Sequence, residues 1–162
     1  TRGILPVHRC DSVGLLRFGH AEDSAAARGR LLGHAEAVLQ RLGLAYRVVL
    51  LAAGDTGFSS AKTYDLEVWA PGVEKWLEVS SCSVFTDFQA RRAGIRYRPA
   101  AGAKLEFVHT LNGSGVALPR TVIALLENYQ TVDGAVELPP ALQPYLGVER
   151  IEAGARVAAA AG

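Results

Sequence analysis

LNGSGVALPRTVIALLENYQ, running from Leu111 to Gln130, is the stretch on which the fold turns. It begins as the end of an apolar strand, and Gly113-Ser114-Gly115 is expected to turn the chain into an amphipathic helix. Pro119 suits a first helical turn, because its φ is preset and it lacks an N–H that the turn has no use for. Arg120 follows at the helix start. Partial positive charge, free N–H groups and a guanidinium therefore gather in one place, which suits a nucleotide phosphate. The same pattern also describes an ordinary Gly-rich connection with a surface arginine, since short Gly-rich turns are weak signals.

Upstream, Val13 to Phe18 reads as a short strand, and Asp23 or Ser24 caps a helix running to about Leu42. Leu31, Ala35, Val38, Leu39 and Leu42 share one face of that helix, and Gly43 stops it. Tyr46 to Ala52 is a near-continuous apolar run, expected to be a strand covered on both faces. Thr63 to Trp69 alternates, with Tyr64, Leu66 and Val68 on one side and Asp65 and Glu67 on the other. Pro71-Gly72 turns the chain, and Lys75 to Cys82 returns as the second strand of a hairpin. Strict alternation there puts Glu78 and Ser80 on one face and Val79 and Ser81 on the other. Phe88 to Ala93 is a short arginine-rich helix, Ile95 to Arg98 is extended, and Glu106 to Leu111 is a strand. The order of elements predicts an α+β layer: an antiparallel β-sheet flanked by helices, in one domain over residues 1–150. Residues 151–162 are expected to fray.

The composition is that of a globular chain: 162 residues, 49% hydrophobic, net charge +1. Near-neutral charge leaves RNA open as a partner but gives no electrostatic footprint for it, and no DNA or membrane partner is expected. No run approaches the ~20 apolar residues that a transmembrane helix needs. Two cysteines, Cys10 and Cys82, are too few for a disulfide framework or a Cys-rich zinc site and fit a reducing, cytoplasmic setting, with a single bridge left open. The four histidines, His8, His20, His34 and His109, lack metal-ligand spacing. His20 and His34 read as surface, and His109 as a satisfied histidine in an apolar strand.

Asp65, Glu67 and Glu78 fall on the two strands of the hairpin. If the register aligns them, like charges repel unless a cation or an amine lies between them, and hard oxygen ligands suit Mg²⁺ shared with phosphates. A solvated sheet face is the competing reading. Arg91, Arg92, Arg96 and Arg98 form a basic cluster that suits phosphate or RNA, or equally pairs with acids elsewhere. P-loop and Rossmann fingerprints are absent.

Taken together, GDTGFSSAKTYDLEVW (Gly54 to Trp69), EVSSCS (Glu78 to Ser83), DFQARR with IRYR (Asp87 to Arg98), FVHTLNGSG (Phe107 to Gly115) and ALPRTVIALLENYQ (Ala117 to Gln130) resemble the C-terminal part of the catalytic domain of bacterial-type seryl-tRNA synthetases, in order and spacing. DGAVELPPALQPYLG resembles the closing segment of that family. The resemblance implies a partial class II aminoacyl-tRNA synthetase core that uses ATP and Mg²⁺ to make seryl-adenylate, then acylates tRNA(Ser). It implies that Glu78, Val79, Ser80 and Ser81 line the ATP, with Glu78 and Ser81 as metal and phosphate ligands. Ser114 resembles a contact to the serine substrate. Arg120 resembles the motif 3 arginine that lies against adenine and reaches the γ-phosphate, the one catalytic role carried over.

The family's motif 2 reads roughly GLIRxHQFxKVE, against GILPVHRCDSVG here (Gly3 to Gly14). Val7 and His8 match and join the ATP-binding set. Pro6 replaces an arginine, Arg9-Cys10 a Gln-Phe pair, Ser12 a lysine, and Gly14 the glutamate that holds the substrate serine. Motif 1, the start of motif 2 and the N-terminal tRNA-binding coiled coil have no counterpart in these residues. The oligomeric state is left open, with a homodimer or a missing N-terminal half as the partner expectations; the rest of the site is either lost or supplied by another chain, and the chain alone is expected to activate serine poorly or not at all. The alternative expectation is an inactive remnant or paralogue that binds nucleotide or regulates. A carrier-protein acceptor is a third possibility that no residue selects.

Overall fold

A computed structural model describes residues 9–154, so Pro6, Val7 and His8 lie outside the described residues. The chain folds in the order β1 (Ser12–Gly19), α1 (Ser24–Arg41), β2 (Tyr46–Leu50), β3 (Lys62–Ala70), β4 (Lys75–Thr86), α2 (Phe88–Ala93), β5 (Arg96–Tyr97), β6 (Glu106–Phe107), β7 (His109–Ala117), α3 (Leu118–Tyr129), β8 (Val136–Glu137), α4 (Gln143–Leu146) and β9 (Arg150–Ile151). Five strands form one sheet in the order β1-β7-β4-β3-β2, with every neighbouring pair antiparallel. This is the expected α+β layer.

One face of the sheet is dry. Leu66, Val68, Val79, Cys82 and Leu111 are buried there against Leu31, Ala35 and Leu39 of α1 and Ile123 and Ala124 of α3. The i, i+4, i+8 spacing of the α1 residues explains why that helix lies along the sheet. The other face is built from the alternate residues of the same strands, and they are polar: Thr63, Asp65 and Glu67 on β3, Ser81 and Ser83 on β4, Asn112 and Ser114 on β7. Antiparallel sheets with one core face commonly show this division.

Several sequence expectations are corrected. Gly113-Ser114-Gly115 makes no turn, because β7 runs straight through it and α3 starts directly at Leu118. The glycines there are set by close packing. A Cβ at Gly113 would lie 2.8 Å from Cys82 Sγ, and one at Gly115 would lie 3.3 Å from the Val13 carbonyl oxygen. Tyr46 to Leu50 is an edge strand with Leu50 exposed, not a strand covered twice, because nothing among the described residues pairs beyond it and α1 packs toward β4 and β7. Glu106 to Leu111 divides into β6 and the start of β7, and β4 continues four residues past Cys82 to Thr86.

Ile151 pairs with Val136, and residues 155–162 lie outside the described residues. Cys10 and Cys82 are both free. His20 and His34 are exposed, as read, and His20 packs edge-on against Tyr97. His109 is half-buried, and its Nδ1 lies 2.6 Å from the Ser24 hydroxyl.

Candidate functional site

The hairpin of β3 and β4 carries a β-bulge, and the bulge decides which side chains meet. Glu67 faces Glu78, whereas Leu66 faces Ser80, so Val79 is the extra residue. An inserted residue shifts the alternation of everything beyond it. Val79 and Ser80 therefore both turn into the core, at 1% and 2% exposure, while Ser81 joins Glu78 on the polar face. This overturns the strict alternation, which paired Glu78 with Ser80. It also separates the four hairpin residues of the expected ATP lining: Glu78 and Ser81 present side chains to the open face, and Val79 and Ser80 do not. The Ser80 hydroxyl donates to the Ser114 carbonyl and stitches β4 to β7 just beyond the last paired residues of those strands, Cys82 and Gly113.

Two rows of polar residues cross the open face. In one, Arg47 of β2, Glu67 of β3 and Glu78 of β4 are register neighbours. In the next, Asp65 opposes Ser81, and Gly14 of β1 opposes Ser114 of β7. Arg120 enters over the first row from the start of α3. That helix is held to the hairpin by two long-range bonds: Asn128 donates to the Trp69 carbonyl at 2.9 Å, and Glu127 accepts from the Gly72 N–H at 2.9 Å. No acidic residue and no side-chain cap occupies the first turn of α3. Arg120 Nη1 donates to the Glu78 carbonyl at 2.7 Å and lies 3.5 Å from a Glu78 carboxylate oxygen. Glu78 and Arg120 thus share one cleft, with both side chains 45% exposed.

The electrostatics of the floor are unbalanced. Partial burial pushes the Glu78 carboxyl above the ordinary glutamate range; the Asp65 charge adds to that, Arg120 opposes it, and Glu67 adds a little more. Asp65 is 92% buried, and its Oδ1 has no hydrogen-bond donor among the described residues. Sequence periodicity placed Asp65 on this face, but its burial was not legible there. Glu67, by contrast, is engaged by Arg47 at 2.5 Å. Among the described residues no three His, Cys, Asp or Glu side chains are grouped to hold a metal unaided. A magnesium ion shared with phosphates needs only one or two carboxylates.

The four arginines of the basic cluster lie apart from this floor, on and after α2. Arg91 pairs with Asp87, and Arg98 donates to the Ala103 carbonyl. At Gly14, where a side chain is absent, an added Cβ would meet nothing within 4 Å among the described residues.

Residues 1–129 match the family model described as the tRNA synthetase class II core domain (G, H, P, S and T). A serine–tRNA ligase from Gemmatimonas aurantiaca is 65% identical over 147 residues, covering 91% of this chain and 35% of the relative. One from Nitratidesulfovibrio vulgaris is 59% identical over 154 residues, covering 94% and 36%. The seryl-tRNA synthetase of Pyrococcus horikoshii, solved in complex with ATP, superposes with a TM-score of 0.90 at 41% identity over 94% of this chain and 34% of that one. The cytoplasmic serine–tRNA ligase of Naegleria fowleri, solved in complex with AMP, superposes at 0.86 with 36% identity, covering 94% and 37%. The chain spans about a third of the length of the relatives it matches.

Proposed function

The chain belongs to the tRNA synthetase class II core domain family, and we propose that it carries the ATP and serine floor of a serine–tRNA ligase acting in the cytoplasm. In that reaction the serine carboxylate attacks the α-phosphate of ATP, pyrophosphate leaves, and seryl-adenylate forms. The terminal ribose hydroxyl of tRNA(Ser) then attacks the acyl carbon and AMP leaves. The observation that carries the proposal is the meeting of Arg120 and Glu78 at one edge of a polar sheet face that also holds Ser81 and Ser114. The ATP and AMP held by the two solved synthetases support it.

Arg120 lies against the adenine and reaches the γ-phosphate, as a cation on a base face and as a charge-assisted donor. Its pairing with Glu78 in the free protein is half-exposed and therefore easily exchanged for a ligand. Ser114 contacts the substrate serine. Val7 and His8, outside the described residues, complete the nucleotide set; Val79 and Ser80 contribute through backbone only. Glu78 and Ser81 would hold Mg²⁺, which supplies charge neutralisation on the phosphates. The donor set fits a hard cation, since Asp65 Oδ1 is buried without a donor and its charge crowds Glu78. Catalysis by this floor is positioning plus electrostatic stabilisation.

Gly14 favours a second reading, in which the chain binds nucleotide without activating serine. It stands beside Ser114 with no carboxylate for the serine ammonium. Losing a charge-assisted contact costs about 1.5–3 kcal/mol, or roughly 10- to 150-fold. A homodimeric partner or a separate N-terminal half would supply the remaining pocket.

Two measurements on the full chain decide between the readings. Calorimetric titration with ATP is expected to show binding that weakens in Arg120→Ala. Serine-dependent ATP–pyrophosphate exchange is expected to be very slow. Absence of any ATP binding would overturn both readings, and robust exchange would overturn the second.

A further inference from the structure

At one end of the sheet β3 begins, β4 ends and β7 begins, because the three strands are antiparallel neighbours. The start of α1 lies over that end on the dry face, where the Ser24 hydroxyl and His109 Nδ1 share a hydrogen bond at 2.6 Å. Beside that bond opens a cleft of about 320 Å³. Its apolar walls are small side chains: Ala21, Ala25, Ala61 and Val84. The cleft is remote from the polar floor. Thr86 lines it, and Glu78 lies eight residues back along β4, roughly 26 Å at the strand rise, with its side chain on the opposite face.

Three basic side chains reach this cleft from three elements: Arg28 of α1, Lys62 of β3 and His109 of β7. The Arg28 guanidinium and the Lys62 ammonium each lie 5.3 Å from the centre of one ring, that of Tyr64. Each cation gains from the ring face. Two like charges gathered on one ring nonetheless disfavour one another unless an anion stands near both. Both side chains are half-buried, and neither forms an ion pair among the described residues.

The carboxylates nearby do not fill that role. Glu22 lines the cleft but is exposed and makes no ion pair among the described residues. Asp87, whose charge is felt at His109, is taken by Arg91 at 2.6 Å. The first turn of α1, which borders the cleft through Ser24 and Ala25, holds no acidic residue and no side-chain cap. Its partial positive charge adds to that of the three side chains.

We propose that this cleft binds a phosphate monoester, with the phosphate held by Arg28, Lys62 and the Ser24 hydroxyl and a short carbon body laid on the alanine walls. The donors decide the head group. A carboxylate is satisfied by the fork of one guanidinium, whereas a monoester presents three terminal oxygens and close to two charges to donors arriving from separate elements. The walls decide in favour of an ester over inorganic phosphate, since bare phosphate gains nothing from apolar surface. The cleft and the polar floor lie on opposite faces of the sheet, so the proposal does not rest on the ATP reading.

The test titrates the full chain with n-propyl phosphate at fixed pH and ionic strength, following the His109 imidazole and Tyr64 ring resonances by NMR. Inorganic phosphate and butyrate serve as comparison probes, and ATP binding is measured on the same samples. Propyl phosphate is expected to shift both residues saturably and to bind more tightly than either comparison probe. Its Kd is expected to rise about tenfold in Arg28→Gln and in Lys62→Gln, as for loss of one charge-assisted contact, with circular dichroism and ATP affinity unchanged. Arg28→Gln, on the flank of a long helix, decides alone if Lys62→Gln fails to fold. Arg120→Ala is expected to leave propyl phosphate binding intact. The proposal is overturned if no saturable shift occurs at His109 and Tyr64, if Arg28→Gln binds as tightly as the parent, if butyrate or inorganic phosphate binds as tightly as propyl phosphate, or if Arg120→Ala abolishes the binding.

Discussion

Arg120 donates to the main-chain carbonyl of Glu78 at 2.7 Å while its guanidinium stands 3.5 Å from the carboxylate of the same residue. The two come from elements 42 positions apart in the chain. The carbonyl bond aims the arginine across the sheet, and the looser carboxylate contact leaves the charge available. With both side chains about half exposed, the ion pair contributes at most about 1 kcal/mol to stability.

Arg120→Ala should therefore reduce ATP affinity far more than it reduces stability. A lost charge-assisted contact predicts roughly a 10- to 150-fold rise in Kd. The urea midpoint should move by less than the equivalent of about 1 kcal/mol. Calorimetry and denaturation on the same samples check both. An unchanged Kd would remove Arg120 from the nucleotide site.

Glu78 should titrate above its ordinary value of 4.5, because partial burial and then the Asp65 charge disfavour its ionised form. A folded-state pKa raised in this way means that native protein binds more protons than unfolded chain. Its stability contribution is then full below the unfolded pKa and is lost as pH rises through the folded one. Asp65→Asn should bring the Glu78 midpoint down and flatten that decline. Carboxyl-carbon NMR titration reads the midpoint directly, and a midpoint that ignores the substitution would remove Asp65 as a cause.

Gly14→Glu should be accommodated, since its Cβ would meet nothing within 4 Å and the position neighbours Ser114. The urea midpoint should hold or rise slightly, because a strand glycine costs roughly 0.5–1 kcal/mol relative to alanine. Serine-dependent ATP–pyrophosphate exchange should increase by an order of magnitude or more. Exchange that stays at the parent level would show that the missing carboxylate is not what limits serine.

Gly113→Ala should destabilise the fold by about 1–3 kcal/mol, because the new methyl falls 2.8 Å from Cys82 Sγ inside a close-packed core. Combining it with Cys82→Ala should recover part of that loss, a non-additivity expected of contacting residues. Additive losses would mean that the strain lies elsewhere than at the sulfur.

The helical spacing of Leu31, Ala35 and Leu39, the alternation around Leu66 and Val68, and Pro119-Arg120 at a helix start were all legible in the residues, and each is found in the structure. What misled was the glycine at 113. Gly-Ser-Gly looks like a turn because glycine is free to turn, yet here it serves because Cys82 leaves no room for a side chain. Tyr46 to Leu50 misled for a related reason: an apolar run reports burial only if a neighbour exists, and β2 lies at the edge. Phe58 gave no signal of its exposure, since phenylalanine ordinarily predicts the opposite.

Local periodicity and turn chemistry are properties of short stretches, so the sequence by itself determined the helices, the hairpin and the kinship of the chain. Which side chains face one another depends on strand register, and a single extra residue reverses it. The bulge at Val79 is such a residue, and only the tertiary structure revealed that it turns Ser80 inward and sets Ser81 beside Glu78, opposite Asp65. The meeting of Arg120 with Glu78 is of the same kind, because the sheet, not the spacing between them, brings α3 onto the hairpin.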